Sequence, residues 1–175
     1  MHILRFQRTF VMGHRLLCPE AGKCGIPHGH NEKVTVELVS SRDGLDEHNM
    51  VVEFSRVKRR WHRFIDEQVD HALQLSHRDP LLQYFRQHEP HQLARVLVTP
   101  GDPTTEILCV VFKAKLQTFL QALDLPVQCC AVEVEETPTN SVRFEGQPQV
   151  HLPEQGWWWR ADDSINDFAS ELVNC

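Results

Sequence analysis

The feature that most constrains this chain is the run Cys24-Gly-Ile-Pro-His28-Gly-His30, which sets a thiol shortly before two histidines separated by one glycine. In an extended segment successive side chains alternate faces, so His28 and His30 project to the same side and can reach one cation. Gly29 between them leaves the ring edges uncrowded. Neutral imidazoles suit zinc, but a catalytic zinc takes three protein ligands and keeps a fourth position open. The best third ligand is His14, because Phe10, Met12 and His14 share one face of a period-two segment that can lie antiparallel to the strand running on from His28. A rival arrangement is a closed structural site of Cys18, Cys24, His28 and His30. Its Cys-x5-Cys-x3-His-x-His spacing departs from the usual finger pattern and sits inside one short loop.

At 175 residues the chain is expected to form one domain with a core that needs no disulfide staples. Its six cysteines, including the adjacent Cys129-Cys130 and the terminal Cys175, make no spaced disulfide framework and fit a reducing compartment. The formal net charge is −6 and no basic cluster has interleaved aromatics, which argues against a nucleic-acid partner. The basic run Arg56, Lys58, Arg59, Arg60, Arg63 reads as the solvated face of a helix. The N-terminus lacks the apolar core of a signal peptide and no later run approaches a membrane span. A cytoplasmic protein without membrane contact is expected.

Residues 2–14 read as a strand, and Val34, Val36 and Leu38 against Thr35 and Glu37 as a cleaner one. From Phe54 the apolar period becomes 3.6, through Val57, Trp61, Phe64 and Ile65, which predicts an amphipathic helix over 54–69 that ends near Asp70-His71. The stretch 76–101 is rich in His, Gln, Arg and Pro. It reads as an insertion too polar for a strand pair, with a short helix around Leu81–Phe85. Asp102 as N-cap, Pro103 at the first helical position and Glu106 in the first turn predict a second long helix, running toward Leu123. Val127 to Glu136 and 141–145 predict a final strand pair across Pro138-Thr-Asn140. Glu136 continues the face of Val132 and Val134, either as the last residue before solvent or as an acceptor inside a pocket. The tail, 147–175, carries Trp157-Trp158-Trp159, which are expected to pack on a neighbouring surface rather than hold a ligand. The expected architecture is α+β, a four-stranded antiparallel sheet with two helices on one face.

Taken together, His14, Cys24-x3-His28-Gly-His30, Met50-Val-Val-Glu-Phe54, Asp70-His71, Pro103-Thr-Thr-Glu106 and Glu136-Thr137 resemble the 6-pyruvoyltetrahydropterin synthase and 6-carboxytetrahydropterin synthase (QueD) family, in order and approximate spacing over about residues 3–146. The resemblance implies a tunnelling fold (T-fold). In that fold, trimers close a continuous β-barrel and two trimers stack into a hexamer, with 7,8-dihydroneopterin triphosphate bound at subunit interfaces. It implies zinc on His14, His28 and His30, Cys24 as the catalytic thiol, and Asp70 and His71 as the proton-transfer pair. Glu136 is then the pterin anchor, with Thr104, Thr105 and Glu106 bordering the pterin pocket.

The family makes two products. The pyruvoyl enzyme eliminates triphosphate, whereas the carboxy enzyme also releases acetaldehyde and feeds queuosine and 7-deazaguanine synthesis. A thiol directly in the Cys24-x3-His-Gly-His run resembles the carboxy enzyme, and the glutamate that folate-pathway relatives carry near this position is missing. The expected activity is 6-carboxytetrahydropterin formation. The pyruvoyl activity and a non-enzymatic zinc-stabilised binding module are the alternatives.

Overall fold

The computed structural model describes residues 1–168; the terminal Cys175 lies outside the described residues. Two long strands, β1 (Ile3–His14) and β2 (His28–Ser40), form an antiparallel pair whose register runs from Ile3 opposite Val39 to His14 opposite His28. Their period-two pattern sorts the faces. Leu4, Phe6, Phe10, Met12, Val34, Val36 and Leu38 are buried, while Ile3, Arg5, Thr9 and Val11 point to the opposite, open face. The helices α1 (Phe54–Phe64), which continues into a π-helical turn at Ile65–Val69, and α3 (Thr105–Ala122) cover the buried face. A ring contact between Phe10 and Phe112 at 5.9 Å joins α3 to the sheet, and those between Trp61 and Phe112 at 5.5 Å and Phe64 and Phe119 at 5.4 Å join the two helices. Truncating Phe112, which touches both β1 and α1, is expected to cost about 3–5 kcal/mol.

The sheet is larger than the expected four antiparallel strands. Its order is β4-β3-β1-β2-β5-β6, with β5 (Val127–Thr137) and β6 (Asn140–Phe144) completing the antiparallel part. The correction lies in β3 (Ala72–Ser76) and β4 (Val96–Thr99), which run parallel to β1 and are joined by α2 (Pro80–His88). The region 76–101, expected to be too polar for a strand pair, therefore supplies one strand, β4, which pairs with β3 just before it. Its apolar residues come in very short runs, and Leu75, Leu82, Leu93, Val96 and Val98 make a small core of their own. The short helix expected near Leu81–Phe85 is present as α2, with Asp79 accepting from the Leu81 N–H as its cap.

α3 is buried on nearly all sides, because residues 147–168 wrap its outer face. Trp157 and Trp158 join the main core, and the fully buried Lys115 donates from Nζ to the carbonyls of Trp157 at 3.0 Å and Arg160 at 2.9 Å. The same segment covers the β4 edge: the Val98 N–H donates to Ile165 O, and the Trp157 indole donates to Val98 O.

Candidate active site and metal centre

The β1–β2 pair ends in the closest approach of the two backbones. Gly13 lies opposite Gly29, and a Cβ on Gly29 would stand 3.0 Å from Met12 O, so only glycine lets the strands meet this closely between the two histidines. The consequence is that His14, His28 and His30 converge, with one ring nitrogen from each lying within 4.8 Å of those of the other two. His14 Nδ1 lies 2.9 Å from Pro103 O and His28 Nδ1 lies 2.9 Å from Ile26 O. Carbonyl oxygens only accept, so both Nδ1 atoms carry the proton and both Nε2 atoms present lone pairs. Those Nε2 atoms are 3.1 Å apart. Two lone pairs at that distance repel, whereas ligands on a tetrahedral zinc stand about 3.3 Å apart, so the site fits a cation of that kind. Burial pushes the His14 imidazole down from its ordinary value, which favours the neutral, ligating form.

Neither Cys18 nor Cys24 joins this metal-holding group, and Cys18 is exposed. Cys24 is half-buried in a short 3-10 segment, Pro19–Gly25, that leads directly into the histidine pair.

Glu136 stands at an irregularity in the β5–β6 register, where its carboxylate turns to the helix-covered face. It accepts from the Thr105 hydroxyl at 2.9 Å and lies 4.0 Å from His14 Nε2. With His14 neutral the latter is a contact rather than an ion pair. Glu135 faces the other way and pairs with Lys33 at 2.7 Å. Thr104, not Asp102, caps α3, its hydroxyl accepting from the Ile107 N–H at 3.4 Å. Glu106 in the same first turn is exposed. The N-cap expectation fails because the Asp102 carboxylate is used elsewhere, accepting from the N–H groups of Leu17 and Cys18.

Asp70 and His71 do meet each other. Asp70 Oδ2 lies 2.8 Å from His71 Nδ1, while Oδ1 accepts from the Val11 N–H at 2.7 Å. That backbone bond, first, and then the His71 contact hold the Asp70 carboxyl below the usual range. His71 has φ 64°, a left-handed conformation that non-glycine residues rarely adopt, and its side chain is 72% exposed. Within one chain, however, this pair is not brought to the histidine trio. It lines a groove of about 880 Å³ together with Thr9, Val11, Asn31 and Glu135, residues of the open sheet face.

A further carboxyl, Glu32, belongs to the site. Glu32 follows His28 and His30 on the same face of β2 and is 4% exposed. Burial, and secondarily the charge of Glu136, push it up to about 8. The same two-residue period that pairs the histidines was the available signal.

The sequence profile of the 6-pyruvoyl tetrahydropterin synthase family matches residues 3–147. This chain belongs to that family. The chain is 35% identical over 126 residues to a Halobacterium salinarum protein named probable 6-carboxy-5,6,7,8-tetrahydropterin synthase, covering 72% of this chain and 75% of that one. It is 32% identical over 120 residues to the 6-carboxy-5,6,7,8-tetrahydropterin synthase of Bacillus subtilis, covering 69% of this chain and 68% of that one. The structure of Caenorhabditis elegans 6-pyruvoyl tetrahydropterin synthase superposes with a TM-score of 0.55 at 24% identity, over 84% of this chain and 98% of that one. The curled sheet under two helices is thus the tunnelling fold of the family. Among the described residues no helix is long and apolar enough to cross a membrane.

Proposed function

We propose that the protein is a zinc-dependent lyase that converts 7,8-dihydroneopterin triphosphate to 6-carboxy-5,6,7,8-tetrahydropterin with release of acetaldehyde and triphosphate, a step of queuosine and 7-deazaguanine synthesis. The observation that carries this reading is the position of Glu136 beside a histidine trio, of which His14 and His28 already hold the ligating tautomer. One carboxylate can accept both the amino group and the adjacent ring N–H of a pterin edge, and Thr105 fixes its orientation from behind. Thr104 and Glu106 border the same pocket. The names of the relatives and the thiol at position 24 favour the carboxy over the pyruvoyl product.

His14, His28 and His30 would hold the zinc, which when bound would supply Lewis acidity at the hydroxyls of the substrate side chain. Cys24, on the segment entering the trio, is the base that takes a proton from that side chain. Asp70 holds the His71 Nδ1 proton, which leaves His71 Nε2 free to accept and return a proton. Because this pair faces away from its own trio, it serves the site of an adjoining copy. Free strand edges favour such an assembly: among the described residues no strand pairs with the outer side of β1 before Met12 or with the outer side of β6. A homo-oligomer of at least three subunits, most simply a hexamer of two stacked barrel-forming trimers, follows. The domain then spans 1–146, followed by the 147–175 extension, whose described residues, 147–168, serve stability rather than chemistry.

Metal removal tests this reading against a zinc-stabilised module. After EDTA treatment the fold, read by circular dichroism, is expected to persist while pterin turnover is lost and returns with zinc. Unfolding on chelation would contradict it.

A further inference from the structure

The segment 101–103 does two jobs that the family reading leaves unassigned. Pro103 O receives the Nδ1 proton of His14, and the neighbouring Asp102 Oδ2 accepts the N–H of Leu17 at 2.9 Å and of Cys18 at 2.8 Å. The Leu16 N–H in turn donates to Cys24 O at 2.8 Å, which closes the loop that carries the thiol. A continuous set of bonds therefore runs from a metal ligand, through two adjacent residues before α3, to the root of the thiol loop and across it to Cys24. The loop's other ties are the ion pair of Arg15 with the buried Asp79 just before Leu16, at 2.8 Å from Nε, and two turn bonds, from the Ala21 N–H to Cys18 O and from the Ile26 N–H to Lys23 O. Its 3-10 segment contains no buried residue and is interrupted at Gly22, which has φ 54°.

We propose that Asp102 is a positioning residue that sets the Cys24 thiol against the histidine trio. This inference rests on the functional reading above for its kinetic consequence, but not for its structural one. A carboxylate accepting two consecutive N–H groups is a charge-assisted clamp. Its loss lets the loop swing from its root, and a displacement of about 1 Å at a reacting group can lower a rate about 100-fold.

The test compares Asp102→Ala with Asp102→Asn, which keeps an acceptor oxygen at the same place. In zinc-loaded protein, Asp102→Ala is expected to retain full metal stoichiometry and to raise the rate of Cys24 alkylation by iodoacetamide at least about fivefold, with Leu17 and Cys18 amide exchange accelerated. Asp102→Asn stays near wild type. With 7,8-dihydroneopterin triphosphate, kcat of Asp102→Ala falls about 30- to 100-fold with KM nearly unchanged, and Asp102→Asn restores most of it. Alkylation and exchange that do not change in Asp102→Ala would overturn the proposal, as would loss of zinc in that variant. Failure of the functional reading is separate: wild type would then be inactive on the substrate while the alkylation difference remained.

Discussion

The Nε2 atoms of His14 and His28 face each other at 3.1 Å while each ring gives its Nδ1 proton to a backbone carbonyl. A pair so arranged needs a cation between it. His28→Ala is expected to lose zinc and turnover together, because two imidazoles hold the ion poorly. Cys24→Ala keeps zinc stoichiometry and loses turnover by about 100-fold or more. Metal analysis alongside kinetics separates the two, and zinc loss in the Cys24 variant would point instead to a Cys/His structural site.

Glu135 and Glu136 are neighbours that serve opposite faces, one on Lys33 in the open groove and the other on Thr105 beside the trio. Glu136→Ala is expected to weaken pterin binding by about 2–4 kcal/mol, the scale for removing one partner of a buried charged hydrogen bond. Glu135→Ala should change it little. Calorimetric titration of the zinc-loaded variants with a pterin analogue measures both, and equal effects would remove Glu136 as the anchor.

Asp70 and His71 lie in the groove of the open face, while Cys24 lies on the 3-10 segment that leads into the histidine pair. If one copy's dyad serves another's thiol, Cys24→Ala and His71→Ala, each inactive alone, regain activity when their subunits are mixed by denaturation and refolding together. Activity absent from the mixed oligomers would mean that each site is completed within one chain.

Lys115 is fully buried, and desolvation, partly opposed by Asp162, pushes its ammonium from the ordinary 10.5 down to about 8. Between these values the unfolded chain binds more protons than the folded one. The contribution of this lysine to stability is therefore complete above pH 10.5 and is lost as pH falls through about 8. The unfolding free energy of wild type minus that of Lys115→Met is expected to rise between pH 8 and 10, by no more than about 1.4 kcal/mol per unit. Urea titrations at pH 7.5 and 9.5 measure it; a difference that does not change with pH would contradict the buried charge.

Much of the site was legible in the chain because it is built on period two. His28, Gly29 and His30 announce a shared face, and the pattern of Phe10, Met12 and His14 places the third histidine opposite the first. The helix over 54–69 was equally plain from Val57, Trp61 and Phe64. What stayed hidden depends on partners remote in sequence. Ala72–Ser76 and Val96–Thr99 are too short to show a period and become strands only against β1 and each other. Asp102 looked like a cap because of Pro103 beside it, but the N–H groups of Leu17 and Cys18 compete for its carboxylate. Glu32 shares the period of His28 and His30, but a charged residue in a strand ordinarily marks the wet face, which masked that signal.

The central claim is a chemical one, and product analysis tests it most directly. Zinc-loaded protein incubated with 7,8-dihydroneopterin triphosphate and followed by mass spectrometry is expected to yield 6-carboxy-5,6,7,8-tetrahydropterin, acetaldehyde and triphosphate in equal amounts. Accumulation of 6-pyruvoyltetrahydropterin without acetaldehyde, or recovery of unchanged substrate, would contradict it.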